Sequence, residues 1–200
     1  MSGRRKFFAL CGISAPIIFI ILVALASLLR NDYSQTQNFV SDLGVGPYSY
    51  IQNLNFIIFG TLSLFLAFGL KDALPADKSK SLKAGVFFVF LFSLGVVLAG
   101  FFPENYLNQV PHNLVSATAF LTIILAQFLI WNGLKKDRSS NWDNYAKYCL
   151  ISGLLSFIFL IILRISINYY PDYQGAAQRL FLAVPWIWIG ISGWKLYKLD

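Results

Sequence analysis

Phe102-Pro-Glu-Asn-Tyr-Leu-Asn-Gln-Val-Pro-His-Asn113 is a short polar stretch between two long apolar runs. It contains the only histidine of the chain, His112, together with the acidic residue Glu104. The runs on its two sides, about 84–102 and 110–131, are each long enough for a membrane helix, which needs about 20 mostly apolar residues. The stretch therefore predicts a polar hinge at one membrane face, where two spans meet.

The composition places the whole chain in the same class. Of its residues, 57% are apolar and 12% are charged, whereas soluble domains carry about 25% charged residues. We predict an all-α, polytopic membrane protein that forms a single six-helix transmembrane bundle over residues 1–200. Its predicted spans cover about 7–29, 48–70, 84–102, 110–131, 149–168 and 176–197. Only short connections are left, so a separate catalytic domain has no room.

The first predicted span imitates a signal peptide. Arg4-Arg5-Lys6 precedes the apolar run, as the charged region of a signal peptide precedes its apolar core. The run exceeds the roughly 7 to 15 residues of such a core, so we expect a retained span. Pro16 is tolerated inside a membrane helix when neighbouring side chains satisfy the carbonyl that it frees.

The basic residues predict the orientation. The N-terminus, the connections 71–83 and 135–147 and the C-terminus together hold 13 of the 16 Lys and Arg residues, and only Arg30, Arg164 and Arg179 fall at the other ends. The positive-inside rule then predicts a multi-pass protein of the cell membrane with both termini cytoplasmic. The net charge of +7 suits anionic lipid headgroups. No basic stripe with interleaved aromatic residues indicates a nucleic-acid partner.

Residues 30–48 form the longest connection. Ser34-Gln-Thr-Gln37 has the pattern of a capping box, which predicts the start of a short helix that Gly44 ends. Ser41-Asp-Leu-Gly44, followed by Gly46-Pro47, predicts a capped turn. We therefore expect this segment to carry Asp42 back over the mouth of the bundle as a fixed lid.

With this topology, polar residues from five connections and spans gather at the outer face. They are Asp42, Asn53, Asn55, Glu104, His112, Asn113, Ser116, Arg164, Asp172 and Arg179. Their helical spacing allows His112, Asn113 and Ser116 to share one face of the fourth span. As ligand-binding candidates we select Asp42, Asn55, Glu104, His112, Asn113, Arg164 and Arg179.

Arg164 has two possible roles. An arginine within a span usually faces the bundle interior and has a partner, and Asp42 and Glu104 are the natural acidic partners. Alternatively, its side chain snorkels to the outer headgroups. The paired arrangement predicts the floor of a site for an anionic headgroup, since guanidinium groups suit phosphates and carboxylates.

His112 also leaves alternatives open: a bond to a loop carbonyl, general acid or base catalysis, or ligand binding. Asp42, His112 and Ser116 could form a hydrolase triad, although no motif supports one. A single histidine does not build a typical zinc site, and Cys11 and Cys149 lack metal-ligand spacing, so both are expected to be packing residues. No metal is predicted, and the cofactor stays unknown.

Several short motifs, in order along nearly the whole chain, resemble the DUF998 family of uncharacterised prokaryotic membrane proteins. They are Gly12 with Pro16, Ser41-Asp-Leu-Gly-Val-Gly-Pro47, Asn55 with Gly60, Phe102-Pro-Glu104, His112-Asn113 and Gln178-Arg179. Glu104 occupies a position where an acidic residue, often Asp, is expected. The resemblance implies a six-helix membrane fold and no established activity.

A more distant resemblance concerns Ser41-Asp-Leu-Gly44 and the histidine that opens a later span. These look like the Frag1/DRAM group, eukaryotic membrane proteins connected with lipid remodelling and autophagy. As an analogy of pattern, it favours a lipid partner.

Three functional classes follow. The first is a protein that binds a lipid or small amphiphile at an outward-facing polar site. The second is a membrane enzyme that modifies a lipid headgroup, and the third is a non-catalytic subunit or assembly factor of a larger complex with partner membrane subunits. Transport ranks lowest, because no inverted repeat is evident.

Overall fold

The computed structural model describes residues 3–75, 79–135 and 142–199. Within these ranges it has six α-helices: α1 (Gly3–Leu28), α2 (Ser49–Ala73), α3 (Lys80–Phe101), α4 (Val110–Leu134), α5 (Asp143–Tyr169) and α6 (Gln174–Tyr197). All are long and apolar enough to cross a membrane. The prediction of an all-α fold with six spans is confirmed.

Helix α5 begins earlier than the sequence predicts. Residues 143–148 were expected in a polar connection, but they form the first turns of α5. Asp143 accepts a bond from Lys147 at 2.7 Å across one helical turn, and Tyr145 is buried with its hydroxyl 2.7 Å from that of Ser192 on α6. Packing against α6 thus extends the helix beyond its apolar run. The rest of this connection, 136–141, lies outside the described residues.

The helices form a closed ring in chain order. Each helix packs mainly against the next one, and α6 packs against α1. Consecutive helices run antiparallel: Gly69, near the end of α2, faces Phe8 at the start of α1 and Leu196 at the end of α6. One end of the ring therefore carries both termini, and we call it the terminal face. The opposite end carries the connections 29–48, 102–109 and 170–173, and we call it the loop face.

The segment 29–48 lies across the loop face, as the sequence predicted for a lid. It is held by a backbone bond from Ala176 to Thr36 (3.0 Å), by Gln37 and Asp172 (3.1 Å) and by Asn53 and the Gly44 carbonyl (3.1 Å). Val40 and Leu43 are each only 1% exposed beneath it. At Gly175, an added Cβ would overlap the carbonyl oxygen of Asn38. This segment, which we call the lid, is thus packed rather than free.

The helix predicted to start at Ser34 is not formed. The Gln37 amide bonds to the Ser34 hydroxyl at 3.4 Å, which is one half of a capping box. The Gln37 side chain, however, reaches Asp172 instead of returning to the backbone of Ser34. Residues 34–37 are therefore turns. The helical turn comes later, as a 3₁₀ helix over Ser41–Gly44 that ends at Gly44 as predicted.

Candidate functional site

A cavity of about 630 Å³ lies inside the ring. Each of the six described helices contributes to its wall, and the lid covers it from the loop face. Most of the wall is aromatic or aliphatic: Phe19, Phe39, Val40, Phe56, Phe59, Phe92, Val96, Phe120, Leu121, Ile123, Leu160, Leu163, Ile167, Phe181, Leu182 and Trp186. Such a surface favours an apolar occupant.

The depth of this cavity matches one leaflet of a bilayer. Ile123 lies 13 residues after the start of α4, and Trp186 lies 12 residues after the start of α6. By helical rise these positions are about 18 to 20 Å below the loop face. A bilayer with its headgroups is about 40 to 45 Å thick. The cavity therefore reaches about halfway through the bundle.

The cavity also reaches the outer wall of the ring between α4 and α5. Leu121 on α4 lines the cavity and is 55% exposed. Asn113 and Ala117 on α4 and Arg164 on α5 likewise line the cavity while being exposed on the outer surface. These residues mark a lateral opening on the side of the ring that faces the membrane.

Polar groups line the cavity at its loop-face end. They are Ser41, Glu104, His112, Asn113, Ser116, Arg164 and Gln178. Four of the seven ligand-binding candidates chosen from the sequence are thus brought together: Glu104, His112, Asn113 and Arg164. The cavity is thus polar at its loop-face end and apolar below it.

Glu104 follows α3 and points under the lid. Its side chain is 17% exposed. Burial, and then a hydrogen bond to the Asp42 carboxyl, raise the pKa of Glu104 to about 7, against a smaller opposite effect of the Ser41 hydroxyl. Two carboxyl groups can share such a bond only when one of them carries a proton. Near neutral pH the Glu104 carboxyl is therefore only partly ionised.

Asp42 belongs to the lid more than to the cavity wall. Its Oδ2 accepts from the Phe39 amide at 2.8 Å and from the Asn38 side chain at 3.3 Å. Its role is therefore to fix the turn of the lid and to place a carboxyl beside Glu104.

His112 is buried in the first turn of α4, with 4% exposure. Its Nδ1 donates to the Phe102 carbonyl at 2.8 Å, which was one of the alternatives predicted. Because a carbonyl only accepts, the other ring nitrogen of the neutral imidazole is an acceptor. That Nε2 lies 3.3 Å from the Ser116 hydroxyl and 3.7 Å from Glu104 Oε1.

The hydrolase triad considered for Asp42, His112 and Ser116 is only partly formed. Ser116 lies within reach of His112, but the remaining ring nitrogen bonds to a backbone carbonyl, whereas a triad requires a carboxylate there. Asp42 is engaged with the lid instead. The carboxyl near the imidazole, Glu104, stands on the same side as Ser116.

Arg164 does not form the ion pair predicted with Asp42 or Glu104. Its side chain is exposed at the lateral opening, and the described residues provide it with no hydrogen bond or ion pair. It lies five residues before the end of α5, about 8 Å below that end by helical rise. Arg164 thus borders the cavity near the loop face, and the described residues place no anion against its guanidinium.

Arg179 is bound to the lid and does not line the cavity. Its guanidinium donates to the carbonyls of Asn38 and Gly175, both at 2.9 Å, and to the Tyr33 hydroxyl. Its neighbour Gln178, which the sequence reading did not select, does line the cavity, and its Oε1 accepts from the Val40 amide at 2.7 Å. The sequence signal that could have identified Gln178 was its place in the Gln178-Arg179 motif.

Asn55 lies away from the cavity wall. Its amide donates to the Phe19 carbonyl at 3.0 Å and to Gln52 at 3.2 Å, and the residue is fully buried. It joins α2 to α1. The rotation of α2 turns this residue toward α1, while Phe56 and Phe59 face the cavity, so Asn55 does not join the other candidates in lining it.

The described part of the chain assembles neither a metal site nor a cysteine pair. Within the described ranges, no group of three His, Cys, Asp or Glu side chains could hold a metal ion. Cys11 and Cys149 are free and buried, and Cys149 accepts a bond from the Trp188 indole at 3.4 Å. Both therefore act as packing residues, as expected.

Residues 13–195 match the family model DUF998, described as a protein of unknown function. The chain belongs to this family, which confirms the resemblance seen in its motifs. No curated protein and no solved structure matches the chain significantly.

Proposed function

We propose that this member of the DUF998 family binds a membrane amphiphile, with its apolar chain inside the ring and its polar head beneath the lid. One observation carries the proposal: a single cavity is apolar over the depth of one leaflet and polar only at the loop face. Its volume of about 630 Å³ falls in the range of small-molecule sites. The lateral opening between α4 and α5 provides a route from the bilayer.

Replacing Leu160 by Trp tests the proposal, because Leu160 lines the cavity from α5. The matched control is Ile161→Trp on the same helix, since Ile161 faces outward with 45% exposure and does not line the cavity. Native mass spectrometry of gently purified protein would identify and count the bound lipids. We expect Leu160→Trp to lose the copurifying amphiphile and Ile161→Trp to keep it. Equal lipid retention in both variants and the wild type would refute the proposal.

A second candidate is an enzyme that acts on the head of the amphiphile, and the 3.3 Å contact between Ser116 and the acceptor nitrogen of His112 favours it. In this scheme His112 accepts the proton of the Ser116 hydroxyl or of a water molecule. Lipids incubated with wild type and with His112→Gln would be compared by mass. Turnover that persists in His112→Gln, or its absence in the wild type, would exclude this role.

We further propose that the loop face is outside the cell and the terminal face is cytoplasmic, on the basis of the basic asymmetry. Cysteines introduced singly at Ser79 and Gln109, with Cys11 and Cys149 replaced by Ala, would be probed with an impermeant thiol reagent in intact cells. We expect labelling at position 109 only. Labelling at position 79 alone would reverse the orientation.

A further inference from the structure

Among the described residues, the polar end of the cavity contains an acid without a cationic partner and a cation without an acidic partner. Glu104 has Asp42, Ser41 and His112 as its polar neighbours, and the imidazole contact is 3.7 Å long. Arg164 borders the same cavity, and the described residues give it neither a hydrogen bond nor an ion pair. The two side chains do not pair with each other.

Their positions keep them apart. Glu104 lies under the lid, in the connection between α3 and α4, and is mostly buried. Arg164 lies on α5 at the lateral opening and is exposed. A head entering from the bilayer would meet the guanidinium first and the carboxyl pair deeper in the cavity.

We infer that the amphiphile has a zwitterionic head, whose ammonium group binds at Glu104 and whose phosphate or carboxylate binds at Arg164. This inference rests on the proposed function and names the chemical class of its ligand. A guanidinium offers paired donors that fit two oxygens of a phosphate or carboxylate. An ammonium offers three donors, which Glu104, the neighbouring Ser41 hydroxyl and the His112 Nε2 can accept.

Heads of a single charge fit less well. An anionic head without an ammonium would satisfy Arg164 but would leave its uncharged part against Glu104. A purely cationic head would satisfy the acid but would place a positive charge near an unpaired guanidinium. Only a head with both charges compensates both side chains, and leaving the mostly buried Glu104 carboxylate without a cation is costly.

The other charged groups near this end are already engaged. Arg30 forms a two-bond pair with Asp32 at 2.7 Å and donates to the Val45 carbonyl. Arg179 is bound to backbone carbonyls and Tyr33. Asp42 accepts from the Phe39 amide and the Asn38 side chain, which hold it in the lid turn. The head is therefore left with Glu104, His112 and Arg164 as the titratable or charged groups that line its cavity.

Competition between two lipids with identical acyl chains tests this inference. Delipidated protein in detergent would be titrated with mixtures of phosphatidylethanolamine, which is zwitterionic, and phosphatidylglycerol, which is anionic, and the bound lipids counted by native mass spectrometry. We expect the wild type to prefer phosphatidylethanolamine by about tenfold. Glu104→Gln should abolish the preference while still binding phosphatidylglycerol, and Arg164→Gln should weaken both lipids.

Matched controls come from the terminal face, where Asp143 and Lys147 form an exposed ion pair. Asp143→Asn and Lys147→Gln change the same charges outside the cavity and should keep the wild-type preference. Arg164 is exposed and unpaired, so its variant should fold even where Glu104→Gln does not.

The pH dependence gives a second readout. The carboxyl of Glu104 ionises around pH 7, so the preference of the wild type for the ammonium lipid should rise between pH 6 and pH 8. A primary ammonium stays charged over this range. Asp42 and His112 are unchanged in Glu104→Gln, so any part of the rise in preference that this variant loses is assigned to Glu104.

Two failures are distinguishable. Tight binding of both lipids without a preference, or a preference that survives Glu104→Gln, would overturn the zwitterionic head and leave the amphiphile proposal intact. An absence of bound lipid in the wild type, or lipid binding that Leu160→Trp leaves unchanged, would overturn the amphiphile proposal itself.

Discussion

Helix α4 packs differently on its two sides. Toward α3 the backbones approach closely: an added Cβ at Gly85 would lie 3.1 Å from the backbone nitrogen of Ile130. Ser81 on α3 also donates to the Leu129 carbonyl at 2.8 Å and accepts from Asn132. Toward α5 the closest glycine, Gly153, faces the ring of Phe128, and the described residues form no hydrogen bond between α4 and α5.

The difference shows how the bundle combines rigidity with an internal space. Small residues let two membrane helices approach closely, and such interfaces are tight and specific. The packed α3–α4 side fixes Glu104 and His112, which flank the connection between these helices. The looser α4–α5 side leaves the cavity and its lateral opening. A binding site is thus built where one helix is held firmly by one neighbour and loosely by the other.

Replacing a glycine by leucine on each side of α4 should give the largest difference in stability loss between the two sides. In Gly85→Leu the side chain must displace Ile130, with a Cβ 2.7 Å from its Cγ1, and we expect a loss of about 3 kcal/mol from overpacking. In Gly153→Leu the three atoms nearest to the added Cβ are ring atoms of Phe128, at 3.2 to 3.3 Å, so a loss of about 1 kcal/mol is expected. Thermal unfolding in detergent measures both. Equal losses would mean that the two sides are packed alike.

The two arginines near the cavity should respond differently. Arg179→Leu removes charge-assisted bonds to Asn38, Gly175 and Tyr33, and should cost about 2 to 3 kcal/mol. Arg164→Leu, on the open side, should change stability by less than about 0.5 kcal/mol. Hydrogen exchange of residues 36–47 should accelerate in the first variant only. A large loss for Arg164→Leu would reveal a partner and restore the paired arrangement predicted from the sequence.

Glu104 lies between the packed α3–α4 side and the lid, and its carboxyl should make the stability of the protein depend on pH. The folded-state pKa of Glu104 is raised from 4.5 to about 7, so the folded protein binds more protons than the unfolded chain between these values. This stabilising contribution is fully present below pH 4.5 and is lost as the pH rises through about 7, and it is on the order of 3 kcal/mol. Glu104→Gln should be less sensitive to pH. If stability fell with pH in parallel in the wild type and in Glu104→Gln, Glu104 would not be the cause of the pH dependence.

The smallest expected difference in stability is between two variants that each remove one hydroxyl group, one at the α3–α4 interface and one at an exposed position of α4. Ser81→Ala removes a bond between α3 and α4 and should cost about 1 kcal/mol. Thr118→Val removes only a bond within α4, to the Leu114 carbonyl, from an exposed position, and should cost less. The two variants can be compared in one denaturant series. An effect of Thr118→Val that exceeds that of Ser81→Ala would place the tighter contact elsewhere.

Much of the architecture was predictable because it depends on local properties. Span number follows from the length and hydropathy of each run, and the alternation of short connections brings the polar ends of different spans to one face. The sequence therefore placed Glu104 and His112 together. The capping box at Ser34 failed as a helix start because Gln37 found a distant partner, Asp172, which no local pattern reveals.

By itself, the sequence determined an all-α fold with six membrane-length helices, and it predicted a polar cluster at one end. The tertiary structure decided which polar residues line the cavity: Gln178 does, Asn55 does not, and Arg164 lines it while staying exposed. The reason is physical. These helices are apolar around most of their circumference, so periodicity does not fix their rotation, and only packing against both neighbours turns a given side chain toward the interior.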